Sequence, residues 1–193
     1  MAASQSFIAE EVIAAYPFKA HRKLLDVGGG DGTFLRAVAA AVPALELHLF
    51  DLPAVAATAR RRFDAAGVAA TVHGGSFFAD PLPAGADLVT LVRVVHDHDD
   101  AGALAILKAA RRAIAPEGTL LLAEPMAGTR GAEPIGAAYF GFYLWAMGSG
   151  RARTPAELGA LLAEAGFGPP RERATHRPLL VRLMEARPAG ADL

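Results

Sequence analysis

Apolar residues along the chain alternate between helical spacing and short continuous runs. Helical spacing, with apolar residues three and four apart, predicts helices over residues 5–16, 32–42, 54–66, 100–114, 134–147 and 155–165. Short, mostly apolar runs bounded by turn residues predict strands at 24–27, 87–92 and 119–123. Strands are also predicted at 45–50, 70–73, 171–176 and 179–186. Strands that alternate with helices through short connections predict an α/β fold, with a mainly parallel sheet and helices on both faces.

The final strand is predicted to run antiparallel to its neighbour. Only residues 176–178 separate the last two strands, whereas parallel neighbours need a crossover of about a dozen residues or more. Pro116, Glu117 and Gly118 are interpreted as a turn before the fifth strand. Residues 1–20 are interpreted as a helical segment that leads into one domain over residues 21–193.

Composition narrows the class of protein. The chain has 193 residues, of which 53% are hydrophobic and 20% are charged, as is typical of a globular domain. Its longest uncharged and mostly apolar stretch, residues 134–148, falls short of the ~20 residues that span a bilayer, so no membrane span is predicted. A net charge of −1 without a long basic run indicates no nucleic-acid partner. The lack of cysteine excludes disulfides and thiolate metal sites and fits a cytoplasmic protein.

A glycine-rich turn after the first strand carries the first candidate chemistry. Gly28 and Gly30 allow a tight turn and a close approach of the backbone to a ligand. Asp51 follows the second strand, where a carboxylate can accept hydrogen bonds from both ribose hydroxyls of a nucleoside. The turn and the carboxylate together predict a cofactor that contains a nucleoside.

Charges near this turn discriminate between two such cofactors. A dinucleotide needs its pyrophosphate at the helix N-terminus and the spacing G-x-G-x-x-G, but Thr33 stands at the last glycine position. Asp31 puts a negative charge where the phosphates would lie, whereas Asp26 can face an ammonium group. The pattern favours S-adenosylmethionine and leaves a nicotinamide dinucleotide as the alternative.

The segment HDHDD, residues 96–100, follows the fourth strand at the sheet edge where open α/β folds bind ligands. Three interpretations are open. An aspartate of the segment can cap the next helix. The H-x-H-x-D pattern can hold a metal ion, although Ala101 stands where such clusters need another histidine. His96 can instead act as a general base near neutral pH.

The order of these motifs resembles the class I S-adenosylmethionine-dependent O-methyltransferases. In that family an LLDVGGGDG-like turn precedes an F-D-L-P segment, a histidine–aspartate pair and a strand that ends in glutamate. The matching residues are 24–32, 50–53, His96-Asp97 and Glu124, and the resemblance covers about residues 20–167. The segments 75–83, 91–100 and 123–147 more closely resemble the hydroxyneurosporene (demethylspheroidene) O-methyltransferases, which methylate a tertiary hydroxyl of acyclic carotenoids.

The resemblance implies a Rossmann-like, seven-stranded methyltransferase sheet and a catalytic site without metal. It implies that His96 accepts the hydroxyl proton, that Glu124 holds the other ring nitrogen and that Asp97 assists. The residues expected to bind S-adenosyl-L-methionine are Asp26, Gly28, Gly30, Asp51, Leu52, Ser76, Phe77 and Arg93. The expected acceptor is an apolar small molecule that carries a hydroxyl group, such as an intermediate of carotenoid biosynthesis.

The resemblance also carries expectations about assembly. Full-length relatives have an N-terminal helical dimerisation domain, so we expect this chain to represent the catalytic domain alone and the full-length protein to be a homodimer. Peripheral association with a membrane is expected because the acceptor is lipophilic. Aromatic residues on every face of the predicted helix 134–147 indicate either core and dimer contacts or the lining of a polyene channel.

Two positions depart from the family pattern. Ser76 replaces an aspartate that contacts adenine in the plant enzymes, so this contact must be weaker or supplied by another group. Ala152 lies near the position of a second glutamate that flanks the base in those enzymes, which puts the phenol-type active site in doubt. The alternatives left open are an NAD-dependent oxidoreductase of similar fold and a non-catalytic fragment that still binds the cofactor.

Overall fold

The computed structural model describes residues 2–129 and 150–190. Its five helices within these ranges are α1 Ala2–Ala15, α2 Thr33–Ala41, α3 Pro53–Ala66, α4 Asp100–Ala113 and α5 Pro155–Glu164. The strands are β1 Lys23–Val27, β2 Glu46–Asp51, β3 Thr71–Gly74, β4 Ala86–Val92, β5 Ile114–Glu124, β6 Arg171–Arg173 and β7 Arg182–Ala186. Short 3-10 turns lie at Phe18–Ala20 and Val95–Asp97.

The seven strands form one sheet in the order β3-β2-β1-β4-β5-β7-β6. Neighbours from β3 to β5 pair in parallel, and β7 pairs antiparallel with both β5 and β6. This arrangement confirms the predicted α/β fold, its seven strands and the antiparallel direction of the last strand. The strand order reverses between β1 and β4, so the crevice beyond their carboxyl ends is the place where such a sheet binds a ligand.

Side chains of the central strands alternate between two hydrophobic clusters, one on each face of the sheet. Leu24 packs with residues of α1, α2 and α3, whereas Leu25 packs with residues of α4 and α5, and both leucines are fully buried. The alternation follows from the two-residue period of a strand. Because burying one leucine contributes about 1.5–3 kcal/mol, these layers hold β1 and β4 firmly under the site.

Pro116, Glu117 and Gly118, predicted as a turn before the fifth strand, lie within the bounds of that strand instead. Strand β5 begins at Ile114, five residues before the predicted start, and includes those residues. The pairing with β4 moves from Ala86↔Ile114 to Leu88↔Thr119, so β5 accommodates its extra residues as an irregularity. Strand β6 ends at Arg173, three residues before the predicted end. The predicted helix 134–147 lies outside the described residues.

Candidate active site

The glycine turn between β1 and α2 forms one wall of a cavity at the carboxyl edge of the sheet. Gly28 has a φ of +72°, and a Cβ there would lie 2.7 Å from a methyl carbon of Val94. Glycine is therefore required both by the left-handed backbone and by the close approach to the β4 side. The cavity has a volume of about 170 Å³, and its lining includes six of the predicted site residues: Asp26, Gly28, Gly30, Arg93, His96 and Asp97.

Asp26 points a buried carboxylate towards this cavity. The side chain is 1% exposed, and its Oδ1 accepts a 2.6 Å hydrogen bond from the hydroxyl of Thr90 on β4. Its Oδ2 has no hydrogen-bond partner among the described residues. Burial raises the pKa of Asp26 to about 7, while the hydrogen bond from Thr90 lowers it. A buried oxygen without a partner is costly, so this atom is suited to a donor that enters from the cavity.

Asp51 lies next to the cavity, at the end of β2. Its Oδ2 accepts the amide hydrogen of Gly30 at 2.8 Å, and its Oδ1 accepts that of Leu52 at 2.7 Å. The carboxylate is thus fixed to the glycine turn, and each oxygen keeps a second lone pair for another donor. The Leu52 side chain is 54% exposed beside it.

The segment after β3 brings a polar and an aromatic side chain to the same edge of the sheet. Ser76 donates its amide hydrogen to Asp80 Oδ2 at 2.8 Å and accepts one from Phe78 at 3.3 Å. The Phe77 ring meets Phe78 edge-on, with centroids 4.7 Å apart. Outside the cavity lining, the carboxyl ends of the neighbouring strands β2 and β3 carry four more predicted site residues: Asp51, Leu52, Ser76 and Phe77.

Arg93 connects β4 to the turn that carries His96. Its φ is +57°, the single positive value for a non-glycine residue among those described. Its amide hydrogen bonds to the carbonyl of Ala123 on β5 at 2.8 Å. Such a backbone conformation is strained in a residue with a side chain, and strain of this kind is concentrated at functional sites. It turns the chain sharply at the cavity, so the next residues cross the end of β5.

His96 and Glu124 form a buried pair beside the cavity. Their side chains are 3% and 2% exposed, and His96 Nδ1 lies 2.6 Å from Glu124 Oε2. The other oxygen, Glu124 Oε1, accepts the amide hydrogens of Val94 at 3.0 Å and Val95 at 2.7 Å. One carboxylate at the end of β5 therefore fixes both the histidine ring and the turn that bears it. Its contact favours a proton on Nδ1, which leaves Nε2 as the ring's acceptor atom.

Asp97 stands on the opposite side of the histidine ring. Its Oδ1 lies 3.2 Å from His96 Nε2. The Asp97 side chain is 37% exposed, whereas that of Glu124 is only 2% exposed. Nε2 thus faces a carboxylate that borders the cavity, where an acceptor hydroxyl can approach. This arrangement stabilises a charge that develops on the ring.

His98 and Asp99 have different surroundings from His96. The His98 ring meets Phe77 and Phe78 edge-on, with centroids 5.6 and 5.4 Å apart, and burial lowers its pKa. It does not line the cavity described above. Asp99 caps α4, because its side chain accepts the amide hydrogen of Gly102 at 2.8 Å. The capping interpretation of the HDHDD segment therefore holds for Asp99.

Sequence reasoning missed Arg153, which contacts the same turn from the far side. Its side chain is 1% exposed and bonds to the carbonyl oxygens of Val95 and His98. Its neighbour Arg151 is 44% exposed. No local pattern distinguishes the two arginines, because the carbonyls that Arg153 binds lie more than fifty residues earlier.

Neither a metal site nor a membrane helix is found within residues 2–129 and 150–190. No group of three or more His, Cys, Asp and Glu residues in these ranges is arranged to hold a metal ion. No helix there is both long and apolar enough to cross a membrane.

Comparison with known proteins identifies the family to which this chain belongs. The O-methyltransferase domain family matches residues 1–168. Demethylspheroidene O-methyltransferase of Cereibacter sphaeroides is 46% identical over 171 residues, which are 86% of this chain and 45% of that protein. The chain spans about half the length of the curated relatives that it matches.

Solved structures share the fold over almost the whole chain. Mitomycin 7-O-methyltransferase MmcR superposes with a TM-score of 0.88 and 31% identity, covering 95% of this chain and 54% of that one. The O-methyltransferase NcsB1 from neocarzinostatin biosynthesis, solved with S-adenosylmethionine and 2-hydroxy-5-methyl naphthoic acid, gives a TM-score of 0.76 and 34% identity. The superposition covers 95% of this chain and 56% of the NcsB1 chain.

Proposed function

Because the chain belongs to the O-methyltransferase domain family, we propose that it transfers a methyl group from S-adenosylmethionine to a hydroxyl of an apolar small molecule. The cofactor supplies a methyl group on a positively charged sulfur, which drives the transfer without a metal. The chain itself must hold the cofactor, align the acceptor oxygen and take up its proton. The observation that carries the proposal is the buried His96–Glu124 pair at the rim of the glycine-turn cavity.

The residues around the cavity fit the amino-acid end of this cofactor. The free Oδ2 of Asp26 is suited to the ammonium group, and the glycine turn leaves room for the backbone to approach the ligand. The structure of NcsB1 was solved in complex with S-adenosylmethionine. Family membership favours this cofactor over the nicotinamide dinucleotide that the glycine turn alone left open.

The nucleoside end is assigned to the residues that follow β2 and β3. The amides of Gly30 and Leu52 fix the carboxylate of Asp51, and each of its oxygens keeps a lone pair that can accept a hydrogen bond from a ribose hydroxyl. Leu52 and Phe77 offer apolar surface for adenine, and Ser76 offers a hydroxyl at the same edge. Arg93 also lines the cavity, where its backbone is left-handed.

His96 is assigned as the general base. An aliphatic alcohol has a pKa near that of water, about 15.7, so it does not ionise before the reaction. His96 Nε2 accepts the proton as the new carbon–oxygen bond forms, which contributes about 10²–10⁴-fold to the rate. Glu124 stabilises the resulting imidazolium through Nδ1, and Asp97 adds a second negative charge 3.2 Å from Nε2. Alignment of acceptor and methyl group supplies much of the remaining rate.

The substrate class that we propose is a hydroxylated acyclic carotenoid. The support is the name of the Cereibacter relative, demethylspheroidene O-methyltransferase, and its 46% identity. The absence of a glutamate at Ala152 also fits an aliphatic acceptor. We further propose that the full-length protein is a cytoplasmic homodimer that reaches its lipophilic substrate by peripheral contact with a membrane.

Two measurements test this function. Calorimetric titration with S-adenosylhomocysteine and with NADH is expected to give saturable binding of the first ligand alone. Methyl transfer from radiolabelled S-adenosylmethionine is then measured with hydroxyneurosporene in detergent and, as a matched control, with a simple phenol. Labelled carotenoid ether is the expected product. A chain that binds S-adenosylhomocysteine but methylates neither acceptor would be a cofactor-binding fragment, and saturable NADH binding would contradict the cofactor assignment.

A further inference from the structure

Arg153 makes three hydrogen bonds from a side chain that is almost fully buried. Its Nη1 donates to the carbonyl of Val95 at 3.0 Å, and its Nη2 donates to that of His98 at 2.8 Å. Its Nε donates to Asp100 Oδ1 at 2.8 Å, on the first turn of α4. The guanidinium therefore spans the turn that contains His96, from the residue before it to the second residue after it.

Glu124 and Arg153 hold opposite sides of this turn. Glu124 accepts two backbone N–H groups and the imidazole Nδ1, whereas Arg153 donates to two backbone carbonyls. The bonds within the turn itself are long: the amide of Asp97 lies 3.2 Å from the carbonyl of Val94, and that of His98 lies 3.3 Å from the carbonyl of Val95. The position of the ring thus depends on the two charged side chains more than on the turn's own hydrogen bonds.

A second contact supports the role of this segment. Gly150 lies directly against the peptide between His96 and Asp97, and a Cβ at residue 150 would clash with the carbonyl oxygen of His96 and with the backbone of Asp97. Gly150 and the buried Arg153, three residues later, both contact the backbone of this turn. Two features of one short segment therefore converge on the backbone of the proposed base.

From these contacts we infer that Arg153 is a positioning residue for His96, an inference that rests on the proposed function. Arginine suits this role because its planar fork presents several N–H donors in fixed directions, whereas lysine presents a single flexible ammonium. Asp100 balances the buried charge and orients the fork. Removing the fork takes this donor from the His98 carbonyl and leaves the Val95 carbonyl with the long bond from the His98 amide, so the turn relaxes and His96 leaves its alignment with the cavity.

The competing explanation is that Arg153 only joins α4 to the segment before α5. Arg151 provides a matched control, because it also bonds to Asp100, at 3.1 Å, and to Glu157 at 2.7 Å. Neither of these bonds reaches a carbonyl of the turn. A connecting role predicts similar effects for Arg151→Lys and Arg153→Lys, whereas a positioning role predicts an effect on His96 from Arg153→Lys alone.

The test compares Arg153→Lys, Arg151→Lys and His96→Gln in the whole chain. The first readout is the downfield proton NMR resonance of the short His96–Glu124 hydrogen bond, assigned by its loss in His96→Gln. The second is the separation of kcat from KM in methyl transfer. In Arg153→Lys we expect a shifted or broadened resonance and a kcat about 10- to 100-fold lower, since a misplacement of about 1 Å costs up to about 10²-fold. KM for the methyl donor is expected to stay close to that of the parent.

Arg151→Lys is expected to keep the resonance and kcat. The inference is overturned if folded Arg153→Lys keeps both as well, or if Arg151→Lys loses as much. If Arg153→Lys does not fold, Asp100→Asn weakens the anchor of Arg153 while keeping the arginine, and an unchanged resonance in that folded variant overturns the inference. The resonance does not require turnover, so an inactive parent would contradict the proposed function while the resonance still tests the positioning role.

Discussion

The buried carboxylate of Asp26 makes cofactor binding depend on pH. Burial raises its pKa to about 7, and the proposed ammonium partner needs the ionised form. At a pH about 1.5 units below that pKa, only about 3% of the unliganded chain carries the charge. Ionising the carboxyl there costs about 1.36 kcal/mol for each unit between the pH and the pKa. We therefore expect affinity for S-adenosylhomocysteine to be roughly 25-fold lower near pH 5.5 than near pH 7.5, where about three quarters of the unliganded chain carries the charge, a difference of about 2 kcal/mol.

The assay is a calorimetric titration with S-adenosylhomocysteine at several pH values from about 5 to 7.5, since the α-amino group of the ligand itself titrates near about 8. Asp26→Asn removes the titrating group and is expected to bind weakly with a flat pH profile. Thr90→Val is the matched control because the Thr90 hydroxyl lowers the pKa of Asp26. In that variant the midpoint is expected to move to higher pH.

Two results would refute this reasoning. Affinity that stays constant from pH 5 to 7.5 in the parent would show that Asp26 is not the ammonium partner. A pH profile that persists in Asp26→Asn would assign the titration to another group at the cavity. The raised pKa of Asp26 also determines the direction in which the stability of the fold changes with pH. The contribution of Asp26 to stability is fully present below its unfolded pKa of about 4 and is lost as the pH rises through about 7.

Three further substitutions follow from single contacts. Asp51→Ala removes the proposed ribose partner and is expected to weaken S-adenosylmethionine binding by about 1.5–3 kcal/mol in calorimetry; unchanged affinity would make the assignment of Asp51 wrong. Asp99→Ala removes the cap of α4 and is expected to cost about 1 kcal/mol in thermal or urea unfolding with little effect on cofactor affinity; unaltered stability would contradict the capping role. Glu124→Gln keeps the side-chain size but removes the charge beside His96 Nδ1, so single-turnover methylation is expected to slow with the cofactor affinity retained, and a parental rate would exclude that role.

The order of the fold could be predicted because its signals are local. Strands β1 and β4 are short, mostly apolar runs, β2 alternates apolar with polar residues, and α2 and α4 have a clear apolar periodicity. The turn predicted before β5 at Pro116, Glu117 and Gly118 lies inside that strand for a non-local reason: β4 pairs with β5 on both sides of those residues, at Ala86↔Ile114 and Leu88↔Thr119. Sheet pairing therefore moved the start of β5 to before the local turn signal.

The candidate site could be predicted in part for the same reason. His96 and Asp51 stand at strand ends, so the position of the strands placed them at one edge of the sheet. The partners of Arg153 and the free oxygen of Asp26 depend on contacts between distant segments, which no window of sequence contains. The left-handed backbone of Arg93 is likewise accompanied by a bond to Ala123 on another strand.

The central claim, that His96 is the base, is tested most directly by single-turnover methylation of hydroxyneurosporene with His96→Gln and His98→Gln. His96→Gln keeps a polar side chain but removes the acceptor nitrogen that borders the cavity, so the rate is expected to fall by about 10²–10⁴-fold with cofactor affinity little changed. His98 packs against Phe77 and Phe78 instead, so His98→Gln is expected to cost far less. A near-parental rate in His96→Gln, or a larger loss in His98→Gln, would contradict the account.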